Sequence, residues 1–162
     1  MNGKETQGMN GVLTLELLNL DGTLMERRKV PNLITIAGKR LVAELLMGRV
    51  NALPIRWAIA VGTGTTQPLP GNVKLDHQVD DAMDTAPKVE EITLGDGSSL
   101  VRATVTATLA PPPAQSTVQP LTEAGILVTL GTGAPILFNR VRFEEVNRGS
   151  NMVMKMTWEI SF

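Results

Sequence analysis

The last eleven residues, Met152-Val153-Met154-Lys155-Met156-Thr157-Trp158-Glu159-Ile160-Ser161-Phe162, alternate without a break. Met152, Met154, Met156, Trp158, Ile160 and Phe162 fall on one face, and Val153, Lys155, Thr157, Glu159 and Ser161 on the other. A period of two over this length is a strand with one face on a core. Its methionines, at strand spacing beside a tryptophan, are read as core packing rather than as an adaptable binding groove.

The same period recurs upstream. Leu13, Leu15 and Leu17 face one way and Thr14 and Glu16 the other, followed by Asp21-Gly22, a hairpin turn signal. The return run 23–30 carries Glu26, Arg27, Arg28 and Lys29, a charge load suited to a sheet edge. In the run 56–61, Trp57, Ile59 and Val61 alternate with alanines, which predicts burial on both faces. Runs 88–94 and 100–109 flank Gly95-Asp96-Gly97, and runs 121–130 and 136–146 flank residues 131–135, predicting two more hairpins. Pro111-Pro112-Pro113 stops pairing and favours an extended connection.

One stretch departs from this period. Over residues 33–47, Ala37, Leu41 and Leu45 recur at helical spacing, flanked by Ile34, Val42 and Leu46, with Asn32 or Thr35 as cap and Gly48 as stop. About eight strands and one helix predict an all-β fold: an antiparallel β-sandwich, jelly-roll-like, the helix lying on one sheet or across an end. The expected core comprises Leu13, Leu15, Leu17, Leu41, Leu45, Trp57, Ile59, Val105, Ile126, Val141, Phe143, Met156, Trp158 and Ile160. Residues 1–11 read as a polar N-terminal arm, and 12–162 as a single domain; 66–86 reads as a long irregular stretch.

A chain of 162 residues buries a core without staples, and this one has no cysteine, which removes disulfides, thiol nucleophiles and cysteine-held metals. His77 is the single histidine, so a multi-histidine metal site is impossible. A net charge of −1 carries no electrostatic footprint for nucleic acid. No apolar run approaches the ~18 residues of a membrane span, and the opening residues lack the apolar centre of a signal peptide. The expectation is a soluble protein made in a reducing compartment, without cofactor, metal, membrane or nucleic acid.

Candidate chemistry is thin. Gly62-Thr63-Gly64-Thr65-Thr66 follows a strand, but lacks the lysine of a phosphate loop, and Pro68 and Pro70 forbid a helix after it. It reads as a glycine turn. Asp76, His77, Asp80, Asp81 and Asp84 form the densest acidic patch, without the glycine and terminal glutamate of an EF-hand, and read as a solvated loop. Arg27, Arg28 and Lys29, with Lys39-Arg40, read as a solvated face or subunit contact. No catalytic, cofactor-binding or metal-binding residue is assigned.

Four segments in order carry a resemblance. Asn32-Leu33-Ile34-Thr35 with Ala37-Gly38, then WAIAVGTGT from Trp57 to Thr65, then Leu121-Thr122-Glu123-Ala124-Gly125-Ile126 followed by ILFNRVRF from Ile136 to Phe143, and finally Met156-Thr157-Trp158-Glu159-Ile160 resemble segments of small tail-associated structural proteins of tailed phages and prophages. The first hairpin and residues 111–120 lie outside those segments. What the resemblance implies is a virion structural protein of tail fibre, baseplate or neck, not an enzyme, assembled in the host cytoplasm as a homo-oligomer with other virion proteins as partners. Two other classes stand beside it. One is a carbohydrate-binding receptor module using the Gly62–Thr66 turn and the acidic loop; the other is a glycan hydrolase using two carboxylates.

Overall fold

The structure, a computed structural model, describes residues 8–84, 86–113 and 118–162. Its elements in chain order are β1 (Asn10–Asn19), β2 (Leu24–Ile34), α1 (Ile36–Leu46), β3 (Pro54–Gly62), β4 (Gln78–Asp84), β5 (Lys88–Thr93), β6 (Ser99–Leu109), β7 (Gln119–Leu130), β8 (Ile136–Leu137), β9 (Asn139–Arg148) and β10 (Met152–Ser161). The fold is all-β and antiparallel with one helix, as the periodicity predicts.

Every ladder belongs to one sheet, ordered β4-β3-β7-β9-β2-β1-β10-β6-β5, with β8 also on β7. One apolar cluster takes Leu13, Val105, Met156 and Trp158 from one end of that order and Ile59, Ile126, Val128 and Val141 from the other, so the sheet is folded over on itself. The fold line is narrow. β2 meets β9 only at Leu33–Arg140 and Ile34–Asn139. Beyond it the two strands splay, and Arg28 spans the gap by donating to the Glu144 and Glu145 carbonyls. On the opposite side Asp84 accepts from the Thr106 N–H, and Arg148 ties Asp80 to the Ala110 carbonyl, so side chains rather than a ladder fasten β4 to β6.

The fold line depends on a break at Phe138. The Ile126 N–H, deprived of a carbonyl partner, donates to Asn139 Oδ1 at 2.8 Å, while the Phe138 carbonyl turns away to accept from Thr35 N–H. Thr35 is buried and does three jobs: its hydroxyl donates to the Leu137 carbonyl, its oxygen caps α1 at Gly38 N–H, and its backbone joins Phe138. α1 is capped by Met47 and stopped by Gly48 after it, whose φ of +64° is a left-handed conformation that glycine adopts without strain. Gly38 lies on the buried face of α1, and a Cβ there would sit 2.2 Å from the Phe138 carbonyl oxygen. Alanine improves a helix interior by about 1 kcal/mol. Opening a packed backbone contact costs about 1–3 kcal/mol, so the clash wins. Gly38→Ala is expected to lower the melting temperature; an unchanged or higher value would contradict the contact.

Several expectations are corrected. The strands number ten among the described residues. The stretch read as irregular contains β4, hydrogen-bonded along β3. The helix starts at Ile36, because Leu33 and Ile34 are still in β2, and the cap is Thr35. The first strand begins at Asn10, so the polar arm loses Asn10 and Gly11 to β1; its residues 1–7 lie outside the described residues, as do 114–117 of the proline bridge, whose Gln119 and Pro120 open β7. Of the expected core, Leu45 is half-buried, as is Trp57, which meets Phe138 edge-on at 6.1 Å between ring centroids. The others are buried, and Ala58 and Ala60 confirm burial on both faces of β3.

Candidate functional site

The chemistry of this chain is concentrated outside the main core, on the far side of β3 and β7. A register shift between Leu121 and Glu123 lets both Leu121 and Ala124 face the core, which turns Glu123 and Gly125 to the other side. There the segment 63–77 crosses the sheet, and Leu75 packs with Ala60 and Leu137 in a small second cluster. Glu123 and Arg140, both 0% exposed, lie beneath that segment.

Glu123 is saturated. Its Oε1 accepts from the backbone N–H groups of Gly64 (3.0 Å) and His77 (2.8 Å). Its Oε2 accepts from Asp76 N–H (3.1 Å) and from Arg140 Nε (3.0 Å) and Nη2 (2.9 Å). Five donors fill the roughly four lone-pair sites of a carboxylate, which leaves none for a substrate proton. Arg140 extends the network upward to Asp76 Oδ2, the Thr66 and Gln67 carbonyls and Asn72 Oδ1, and Asn72 Oδ1 accepts in turn from Leu69 N–H. The glycines of the Gly62–Thr66 turn make this approach possible. A Cβ on Gly64 would stand 2.4 Å from Glu123 Oε1 and from Asp76 Cβ, and one on Gly62 would stand 2.3 Å from the His77 carbonyl oxygen. Thr122 closes the rim by donating to the Gly64 carbonyl.

The arrangement is a fastening. It holds an otherwise irregular segment on the sheet and leaves the apolar tip of that segment outward: Leu69 is 61% and Val73 71% exposed, beside Pro70 and Ile36, 55% exposed. The Pro70 carbonyl accepts from Ile36 N–H, so the tip is tied to the helix start as well.

Asp76 reports on this network. The Thr66 hydroxyl, then the Thr66 N–H and the Arg140 charge, hold its carboxyl below the ordinary value of 3.8 against the opposing effect of burial. A carboxyl depressed in the folded state contributes stability that is fully present above its unfolded pKa and is lost as pH falls through the lower folded value. Comparing Asp76→Asn with the parent, the difference in melting temperature should therefore be largest near neutrality and shrink below about pH 4. A difference that is constant down to pH 2 would detach Asp76 from the network.

The acidic patch does not act as one group. Asp76 goes to Arg140, Asp80 to Arg148, Asp81 to Arg56, and Asp84 to the Thr106 N–H. His77 enters through its backbone, its side chain being exposed. Among the described residues no three His, Asp or Glu side chains converge as a metal site would require. Of the basic residues, Arg27 pairs with Glu16 and Arg28 with Glu26, while Lys39 and Arg40 are exposed on α1. Met154 and Met156 are core. Glu123, Arg140 and Arg148 were given no role by the sequence reading. For Glu123 the available signal was a charge inside the apolar run 121–130, between Leu121 and Gly125, while Arg140 and Arg148 lie among other charged residues of 140–148 and carry no such mark.

No protein-family model, curated protein or solved structure matches the chain. Among the described residues no helix is long and apolar enough to cross a membrane.

Proposed function

We propose that the chain is a structural component of a tailed-phage virion, in the tail, baseplate or neck, working through contacts with its own copies and with other virion proteins. The observation that carries this reading is the apolar tip formed by Ile36, Leu69, Pro70 and Val73, exposed and yet fastened from below by Arg140 and Asn72. A surface apolar patch is suited to a protein contact, and one that is already rigid loses little conformational freedom on binding. A second support is positional. Segments quoted for the phage resemblance, WAIAVGTGT, Leu121–Ile126 and ILFNRVRF, supply the Gly62–Thr66 turn, Glu123 and Arg140, which meet in this one fastening. The resemblance thus falls on residues that build and present a surface, which suits assembly and assigns no catalytic residue or cofactor.

The test uses Leu69→Asp with Val73→Asp in the producing phage. Both side chains are exposed, so the melting temperature of the purified protein should hold within a few degrees while incorporation into particles, read by mass spectrometry, falls sharply. Normal incorporation would remove the tip from the account, and absence of the parent protein from purified particles would remove the reading itself.

A further inference from the structure

Strand β5 is the last in the sheet order and pairs only with β6. β4, at the other end of the order, faces β6 and is fastened to it through Asp84, whereas the outer edge of β5 has neither a ladder nor a side-chain fastening among the described residues. Its side chains are exposed apart from the half-buried Ile92.

Register assigns the faces. Lys88, Glu90 and Ile92 lie opposite Thr104, Arg102 and Leu100 on the outer face, while Val89 and Glu91 lie opposite Ala103 and Val101 on the face that leads to the core. Nothing described covers that inner corner, for Val89 is 74% and Val101 44% exposed. Neither Glu90 nor Glu91 has an ion pair among the described residues, since Arg102 pairs with Glu159.

An open edge with uncovered valines invites strand addition, and the glutamates decide by whom. A two-fold antiparallel pairing of two copies keeps each face of the sheet, so its central registers set Glu90 against Glu90 or Glu91 against Glu91 of the other copy. Like charges directly opposite are destabilising, so a second copy is refused. We propose that the β5 edge accepts an extended basic segment of a partner protein, paired through the main chain, with Lys or Arg beside Glu90 and Glu91 and an apolar side chain over Val89. The inference rests on β5 alone and stands or falls separately from the phage reading.

The probe is the fluorescein-labelled octapeptide Val-Thr-Val-Lys-Lys-Val-Thr-Val, whose adjacent lysines fall on opposite faces beside Glu90 and Glu91, titrated with the full chain by anisotropy. Its control is the same peptide N-methylated at alternate peptide nitrogens, which keeps the charge and loses strand pairing. The parent should bind the first peptide and bind the control at least about tenfold more weakly; E90K/E91K, at an unchanged melting temperature, should cost about tenfold or more. Glu90→Thr with Glu91→Thr should convert the chain to a dimer by light scattering, because the repulsion is gone. Equal binding of both peptides, indifference to charge reversal, or dimerisation of the parent through β5 would each overturn the proposal.

Discussion

Glu123→Ala is expected to unfold the chain or bring it close to unfolding. Removing one partner of a buried ion pair costs about 3–5 kcal/mol, because the remaining charge stays desolvated. Here that charge is Arg140, itself 0% exposed. The same change strips the acceptor from the N–H groups of Gly64, Asp76 and His77; a buried donor left unmade, as at Gly64, costs about 1–3 kcal/mol more, and the part-buried N–H groups of Asp76 and His77 add less. Against a typical domain stability of about 5–15 kcal/mol the sum is decisive. Arg140→Met should be milder, since Glu123 would keep three backbone donors arranged as an anion site. Glu123→Gln should not rescue, because each carboxylate oxygen faces N–H donors and an amide nitrogen at either place sets donor against donor. Urea denaturation of the three variants checks the order. A Glu123→Ala midpoint equal to that of Arg140→Met would mean that the backbone donors carry no weight.

What could be read beforehand follows from where each signal resides. β10 and β1 were legible because one face meets the core and the other meets solvent, which writes the period of two directly into residue type. β4 was illegible. Gln78–Asp84 has no fully buried residue, so neither face selects apolar side chains, and only its hydrogen bonds to β3 make it a strand. The break at Phe138 left no local mark either, since Asn139 substitutes a side-chain oxygen for a ladder carbonyl and the run ILFNRVRF remains apolar enough to read as one strand. The fastening was visible in its parts. Its two glycines and Glu123 and Arg140 all lie in the segments that carry the phage resemblance, but their meeting depends on the β3–β7 and β7–β9 registers. Tertiary pairing of that kind is not encoded within any single run.

Asn32 shows the same dependence and leads to the second large effect. The sequence offered it as a helix cap. The fold instead places its Oδ1 2.7 Å from Trp158 Nε1, in space that exists because residue 11 is glycine: a Cβ there would stand 1.9 Å from that oxygen. Trp158 is 0% exposed and sits between Leu13 of β1 and Val105 of β6 in the cross-strand register, at the centre of the apolar cluster. Trp158→Ala is expected to cost about 3–5 kcal/mol, the range for emptying a large aromatic site that a sheet cannot collapse to fill. The loss of the indole donor adds to this. Asn32 Nδ2 is already buried without a partner among the described residues, so the variant would leave the whole amide unsatisfied. Trp158→Phe separates the two contributions, keeping most of the ring volume and removing the donor, and should cost about 1–3 kcal/mol. Asn32→Leu in the Trp158→Phe background should then recover part of that loss, because an unpaired buried amide becomes apolar. If Trp158→Phe is as damaging as Trp158→Ala, the lost hydrogen bond rather than the ring volume carries the cost. If the Asn32→Leu change destabilises further, the Asn32–Trp158 contact is not what that amide is held for.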